Sequence, residues 1–171
     1  MIGVAHFIAF LVFPLGMAFA AASDLLTMTI SNKLTLALLA AFVVLAPLTG
    51  MDLSTFGWHF AAGGIVLAVA FACFAFGWIG GGDAKFAAVT TLWLGAENAP
   101  EFLVVAALFG GGLTLAILSF RQAVLPAFIV RQPWVQRLHE RTAGVPYGIA
   151  LAAAGLYVYP HSLWLAAAGA N

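Results

Sequence analysis

Apolar residues fill six long uncharged stretches of this chain, and the few charged residues separate them. The stretches run 7–23, 34–51, 60–82, 86–96, 102–120 and 142–171. A helix that crosses a bilayer needs about 20 mostly apolar residues, with a range of roughly 17–25. Five stretches meet that requirement, whereas the fourth has only 11 residues. The pattern therefore predicts an all-α membrane protein of about six transmembrane helices, with a short fourth helix, in a single transmembrane domain covering residues 1–171.

The fourth stretch is compatible with a short spanning helix or with a re-entrant segment, and the basic residues discriminate between the two. With six crossings, all six Lys and Arg residues fall on one side and Asp52, Glu97 and Glu101 fall on the other. With a re-entrant fourth segment, the basic residues split two against four. Because Lys and Arg accumulate in cytoplasmic loops, six crossings are favoured, with the N-terminus outside. The basic residues are Lys33, Lys85, Arg121, Arg131, Arg137 and Arg141.

Composition excludes several classes of protein. Charged residues make up 7 % of the chain, against roughly 25 % in a typical soluble domain. Apolar residues reach 64 % and the mean hydropathy is +1.09. An ordinary soluble enzyme, a disordered chain and a nucleic-acid-binding protein are all excluded. One cysteine, Cys73, excludes a disulfide framework, and no two of the four histidines have ligand spacing on one helix, so we expect neither metal nor cofactor.

Two further segments need interpretation. Ala18-Phe19-Ala20 imitates a signal-peptidase site, but no basic region precedes it and Asp24 follows closely, so we expect the first span to be retained. The only long loop, 120–144, contains a stretch from Pro133 to Arg141 that mixes apolar and basic residues. That mixture predicts a helix in the interface plane, which serves either as a surface anchor or in substrate docking.

Two acidic residues stand out by their position. Asp24 ends the first apolar stretch and Asp83 follows the third. Two crossings separate them, so they return to the same side whatever the fourth stretch does. Ionisable groups at membrane depth are functional candidates by default. The structural alternative is that Asp24 ends a helix while Asp83 pairs with Lys85.

Three glycines, Gly80, Gly81 and Gly82, precede Asp83 and favour the functional interpretation. Without β-carbons they leave room for another backbone to approach a carboxylate. Two carboxylates that share a site do not both ionise easily, which suits aspartic proteolysis. One carboxylate then takes a proton from water while the other donates to the scissile carbonyl oxygen.

The sequence Gly80-Gly81-Gly82-Asp83 matches the Gly-x-Gly-Asp signature of membrane aspartic proteases. Its surroundings resemble the prepilin peptidases, or type IV leader peptidases, in the short form that serves tight-adherence pili. The resemblance also rests on Asp24-Leu25-Leu26 leading to Ile30-Ser31-Asn32-Lys33-Leu34, and on Pro146-Tyr147-Gly148-Ile149-Ala150. Ser31 stands where the family usually has proline. The Cys-rich insert of the long, methylating forms is absent, so we expect peptidase activity without methylation.

The resemblance implies an endopeptidase of the cell inner membrane that removes the basic leader from pilin-like precursors at the cytoplasmic face. Asp24 and Asp83 would be the catalytic pair. Implied partners are the precursors, membrane lipids and pilus or secretion assembly machinery, without nucleic acid. Candidate supporting residues are Gly80, Gly81, Gly82, Lys85, Asn32, Lys33 and Tyr147.

The supporting residues also have structural interpretations, and the chain has rival functions. Lys85 also suits a cytoplasmic anchor, Asn32 and Lys33 a helix N-terminus, and Tyr147 an aromatic belt. A small transporter or proton-conducting protein would need a polar path to both faces, and the outer halves of the stretches lack one. A non-catalytic pilus assembly factor would keep only the fold.

Overall fold

The computed structural model describes residues 2–126 and 131–166, and within them all regular structure is helical. This confirms the predicted all-α class. The helices are α1 (Ile2–Thr27), α2 (Asn32–Leu48), α3 (Leu53–Ala75), α4 (Gly81–Leu94), α5 (Ala99–Phe120), α6 (Pro133–His139), α7 (Tyr147–Val158) and α8 (Leu163–Ala166), with a 3₁₀ turn at Tyr159–His161 between the last two.

Three of the helices are long and apolar enough to cross a membrane. They comprise Gly3–Thr27, Leu53–Ala75 and Ala99–Phe120, and α2 is a shorter apolar helix. Their outward side chains are large and apolar: on α5, Val104, Leu108 and Leu115 are each at least 60 % exposed. Such a surface is costly in water and favourable in lipid, so the chain is a membrane protein.

Helix α4 is short, with 14 residues, but it begins at Gly81 rather than at residue 86. Dividing the sequence at its charged residues placed the boundary too late, because Asp83 and Lys85 lie inside the helix. Gly80 is the N-cap in an extended conformation, and the Asp83 carboxylate accepts a hydrogen bond from the Gly80 backbone N–H. An acidic residue in the first turn favours a helix start, since it binds otherwise unpaired N–H groups there.

The last predicted stretch does not form one continuous helix in the described residues. Helix α7 ends at Val158 after 12 residues, and the chain then turns through Tyr159–His161. Pro160 lies in that turn and has no N–H to continue the helical ladder. The hydroxyl of Ser162 donates to the Tyr159 carbonyl over 2.6 Å and closes the turn.

The helices pack with alternating direction. At one end of the bundle, His59 of α3 hydrogen-bonds the Leu92 carbonyl of α4 over 2.6 Å, and Trp164 donates to the Trp93 carbonyl over 2.7 Å. Helix α7 runs back along α1, so that the Tyr159 hydroxyl reaches a carbonyl in the first half of α1. Consequently the C-terminal end of α1 and the N-terminal ends of α4 and α7 lie together at the opposite end.

Charge is segregated between the two ends of this bundle. The acids Asp52, Glu97 and Glu101 lie at the N-terminal ends of α3 and α5. Of these, Asp52 caps α3, and hydrogen bonds from the Thr55 hydroxyl and N–H hold its pKa below the usual value. The basic residues lie at the other end, beside the start of α2 and α4, the end of α5, and α6. The segregation on which the six-crossing prediction rests is therefore present in the fold.

Candidate active site

Asp24 lies in the last turn of α1 and is only 4 % exposed. Its Oδ2 atom accepts a hydrogen bond of 2.7 Å from the backbone N–H of Gly148. That N–H is at the start of α7, where backbone donors have no partner within the helix. A β-carbon at Gly148 would lie 2.8 Å from Oδ2, so glycine permits this approach. The carboxylate thus joins the end of one helix to the start of another.

A tight turn after α1 places Ile30 between α4 and α7. Met28 adopts a left-handed conformation with φ of 56°, and the Ser23 hydroxyl donates to the Thr29 carbonyl over 3.0 Å. The backbone and side chain of Ile30 lie about 3.5 Å from a β-carbon position at Gly82. The tip of the same side chain lies against Gly148. The turn therefore fixes the spacing between the helices that bear the candidate residues.

Asp83 lies in the first turn of α4 and is partly buried. Its carboxylate is within electrostatic range of Asp24 and of the Tyr147 hydroxyl. Three separate helices therefore bring these three side chains to one end of the bundle. The same-side placement of the two acids, expected from counting crossings, is present in the fold.

Tyr147, the first residue of α7, packs against α5. Its hydroxyl donates to the Ala106 carbonyl over 3.3 Å, and its ring fills the space that a side chain at Gly110 would occupy. The ring is thus held between helices, with Asp83 in range, rather than only at the lipid interface.

The glycines before Asp83 are approached mainly by the protein itself. A β-carbon at Gly80 would lie 2.8 Å from Asp83 Oδ2, and one at Gly81 would lie 3.2 Å from the ring of Phe74. At Gly82 the approaching backbone is that of Ile30. The absence of side chains at these glycines therefore lets Asp83 approach the backbone and lets α4 pack closely against its neighbours. Gly80 is also exposed.

The polar residues at the start of α2 meet α4. The Lys85 ammonium donates to Asn32 Oδ1 over 2.7 Å, and Lys33 is exposed on the same turn of α2. Lys85 does not face Asp83, because residues two positions apart on an α-helix point in directions that differ by roughly 200°. Ser31 is the N-cap of α2, and its hydroxyl oxygen accepts the Leu34 N–H over 3.2 Å. Serine at this position thus performs the capping that N-terminal turns require.

Arg121 is a residue whose structural role the sequence interpretation missed. It is 8 % exposed at the end of α5. Its Nε donates to the Leu138 carbonyl over 2.8 Å, and its Nη2 donates to Ala143 and Gly144 over 2.9 and 2.8 Å. The sequence interpretation treated Arg121 only as a cytoplasmic charge, and no local pattern indicates that it binds these carbonyls. It fixes the segment that leads into α7, and hence the position of Gly148.

Gly148 and Ile30 were missed in a different way, since both belong to the motifs that carry the family resemblance. Their roles depend on contacts across the fold, which a motif does not specify. Helix α6 confirms the helix expected around Pro133–Arg141, with Val135 and Leu138 buried. Within 2–126 and 131–166, no cluster of three or more His, Cys, Asp or Glu side chains is arranged to hold a metal ion.

Comparison with known proteins identifies the family. The sequence model of the type IV leader peptidase family matches residues 11–115, which include both acids and the glycine tract. No curated protein and no solved structure matches the chain significantly. Since the match covers more than half of the 171 residues, the chain belongs to the type IV leader peptidase family and is a peptidase.

Proposed function

We propose that this protein is a membrane-embedded aspartic endopeptidase that removes the basic leader from pilin-like precursors. Asp24 and Asp83 are its catalytic pair. The observation that carries the proposal is the placement of these two acids, from helices α1 and α4, within electrostatic range of each other at one end of the bundle in a chain of this family. Two interacting carboxyl groups hold a shared proton over a range of pH, as aspartic proteolysis needs.

The chemistry divides between the two carboxyl groups. The ionised one takes a proton from a water molecule, whose oxygen bonds to the scissile carbonyl carbon. The protonated one donates to the carbonyl oxygen, and the tetrahedral intermediate then collapses. As the C–N bond breaks, the leaving nitrogen takes a proton from the pair, and a hydroxyl of the intermediate returns its proton to the pair as the new carboxyl group forms. Gly148 holds Asp24 by Oδ2, so the proposal assigns the proton transfer to Oδ1.

The supporting residues have distinct proposed tasks. Gly80 allows the backbone before Asp83 to approach its carboxylate, Gly81 admits the ring of Phe74, and Gly82 admits Ile30. Tyr147 sets the wall of the site opposite α4. Asn32 and Lys85 join α2 to α4, and Lys33 lies beside them at the membrane surface.

The proposed placement is in the inner membrane with six crossings, the N-terminus outside and the active site facing the cytoplasm. The single domain covers residues 1–171. Support comes from the segregation of charge, because the end that bears Asp24 and Asp83 also bears the basic residues, as cytoplasmic ends do. The proposed activity is peptidase without methylation, and the partners are pilin-like precursors and their assembly machinery.

A processing assay tests the proposal. The full chain is co-expressed with a precursor that has a basic leader and an apolar helix, and cleavage is followed by electrophoresis and mass spectrometry. Asp24→Asn and Asp83→Asn keep side-chain volume and should each abolish cleavage while the protein still inserts. Asp52→Asn is the matched control, since Asn also caps helices and Asp52 lies at the opposite end. Full cleavage by either active-site variant would falsify the aspartic mechanism, whereas no cleavage by the wild type would favour a transporter or an assembly factor.

A further inference from the structure

An apolar groove lies between α2, α3 and α4. It encloses a cavity of about 340 Å³. Its walls include Leu39 of α2, Gly64 and Leu67 of α3, and Lys85, Val89 and Leu92 of α4. Gly64 is exposed, and a β-carbon there would have no atom within 4 Å. The groove is therefore open beside the glycine and wide enough for a thin apolar chain.

The groove is on the face of α4 opposite Asp83. At about 100° per residue, Lys85, Ala88 and Leu92 point roughly 140–200° away from it. All three line the groove. Asp24 and Tyr147 lie on the other face, towards α1 and α7. Helix α4 therefore lies between the groove and a peptide bond held at the two acids. The scissile segment does not occupy the groove, and another molecule must bind there if the groove is filled.

Lys85 supplies the charge that selects the occupant. Among the described residues that line the groove, it alone carries a charge, and it is exposed. Its ammonium donates to Asn32 Oδ1 and has further donors to offer. Lys85 lies near the start of α4, at the end of the bundle where basic residues collect, which is at headgroup level for the proposed placement. A cation above an apolar slot complements an anionic head on an acyl chain.

We propose that the groove is a binding site for one anionic phospholipid, with its phosphate on Lys85 and an acyl chain beside Gly64. The bound lipid fills the gap that α2 and α3 leave over α4. It thereby supports the start of α4, the helix that bears Asp83, from the face away from the substrate. This site rests on the proposed placement in the membrane but not on the proposed proteolysis, since it requires only the groove and Lys85.

Two glycines of α3 give a matched pair of variants. Gly64 lines the groove and Gly57 does not, yet both are exposed and neither has an atom within 4 Å of a β-carbon position. Gly64→Leu should therefore extend a side chain into the groove from a β-carbon that meets no other atom. Gly57→Leu adds the same side chain to the same helix elsewhere. Lys85→Gln removes the charge and keeps the groove.

The test is native mass spectrometry of the full chain in detergent, titrated with phosphatidylglycerol or with phosphatidylcholine of the same acyl chains. The wild type should retain one phosphatidylglycerol per chain, with a preference of roughly fivefold over phosphatidylcholine for one lysine. Gly64→Leu should lose the bound lipid, Lys85→Gln should lose the preference, and Gly57→Leu should match the wild type. Equal retention by the two leucine variants, or no preference in the wild type, overturns the proposal and leaves only annular lipid.

A crosslinking arm identifies the occupant directly. A photoreactive phenylalanine analogue replaces Leu67, which lines the groove, and the protein is irradiated in native membranes in the presence of the precursor. A lipid adduct supports the proposal. A crosslink to a second copy of the chain or to the apolar helix of the precursor overturns it. The cleavage assay with Asp24→Asn tests the proteolytic proposal separately, so the two failures are distinguishable.

Discussion

The backbone N–H of Gly148 donates a 2.7 Å hydrogen bond to Oδ2 of Asp24, so helices α1 and α7 meet at a candidate catalytic group. The bond serves two purposes. It provides a partner for one of the unpaired donors at the start of α7, and it fixes one oxygen of a buried carboxylate. Under the proposed mechanism, stability and catalysis therefore depend on the same contact. Changes that move α7 should affect both.

The first prediction concerns the close approach at Gly148. Gly148→Ala would place a methyl 2.8 Å from Asp24 Oδ2 and 2.6 Å from the tip of Ile30. Overpacking of this kind costs about 1–3 kcal/mol, and the displaced carboxylate should slow precursor cleavage. Gly144→Ala is the control, since nothing lies within 4 Å of its β-carbon position. Cleavage rate and thermal unfolding in detergent are measured for both. Equal behaviour of the two variants would contradict the importance of this contact.

The second prediction concerns the packing of the Tyr147 ring against α5. Gly110→Ala introduces a methyl where the Tyr147 ring lies, so the ring must leave and α7 must shift. We expect slower cleavage and a lower unfolding temperature. Tyr147→Phe loses only a 3.3 Å hydrogen bond to Ala106 and should cost about 1 kcal/mol or less.

The control for Gly110→Ala is Gly111→Ala, which adds the same methyl one residue along α5, where it meets no atom within 4 Å. Intrinsic fluorescence and cleavage kinetics separate the variants. If Gly110→Ala cleaved the precursor as fast as Gly111→Ala, the position of the Tyr147 ring would have no bearing on activity.

The third prediction concerns Arg121 as a positioning residue. Arg121→Met keeps an apolar stem but leaves the carbonyls of Leu138, Ala143 and Gly144 without their donor. The segment before α7 should become more mobile. The free energy of unfolding should fall by no more than about 1.5–3 kcal/mol for each lost hydrogen bond to the charged group. Hydrogen exchange at residues 138–148 should accelerate while α3 and α4 stay protected. Arg137→Met is the control, because Arg137 is exposed and its Nε donates to the Pro133 carbonyl of its own helix. Unchanged exchange at 138–148 in Arg121→Met would exclude the positioning role.

The sequence predicted the parts of this fold that depend on composition and connectivity. The helical class follows from the apolar stretches, and the common side of Asp24 and Asp83 follows from counting two crossings. The start of α4 did not follow, because charges were taken as boundaries while Asp83 stabilises the first helical turn. The roles of Arg121 and Gly148 depend on partners 17–124 residues away in the chain, and no local pattern encodes such contacts.

The last prediction concerns Ser31, which stands where the family resemblance expects proline. Ser31 has φ of −71° and ψ of 141°, a conformation that proline adopts without strain. Ser31→Pro loses the 3.2 Å bond from the Leu34 N–H, but it also restricts the unfolded chain, which contributes about 0.4–1 kcal/mol. Ser31→Ala loses the same cap without that gain and should be less stable than the wild type by about 1 kcal/mol. We therefore expect Ser31→Pro to unfold later than Ser31→Ala in a denaturant titration and to cleave the precursor at the wild-type rate. A proline variant less stable than the alanine variant would show that the turn after α1 has a different backbone requirement from the one that its dihedral angles indicate.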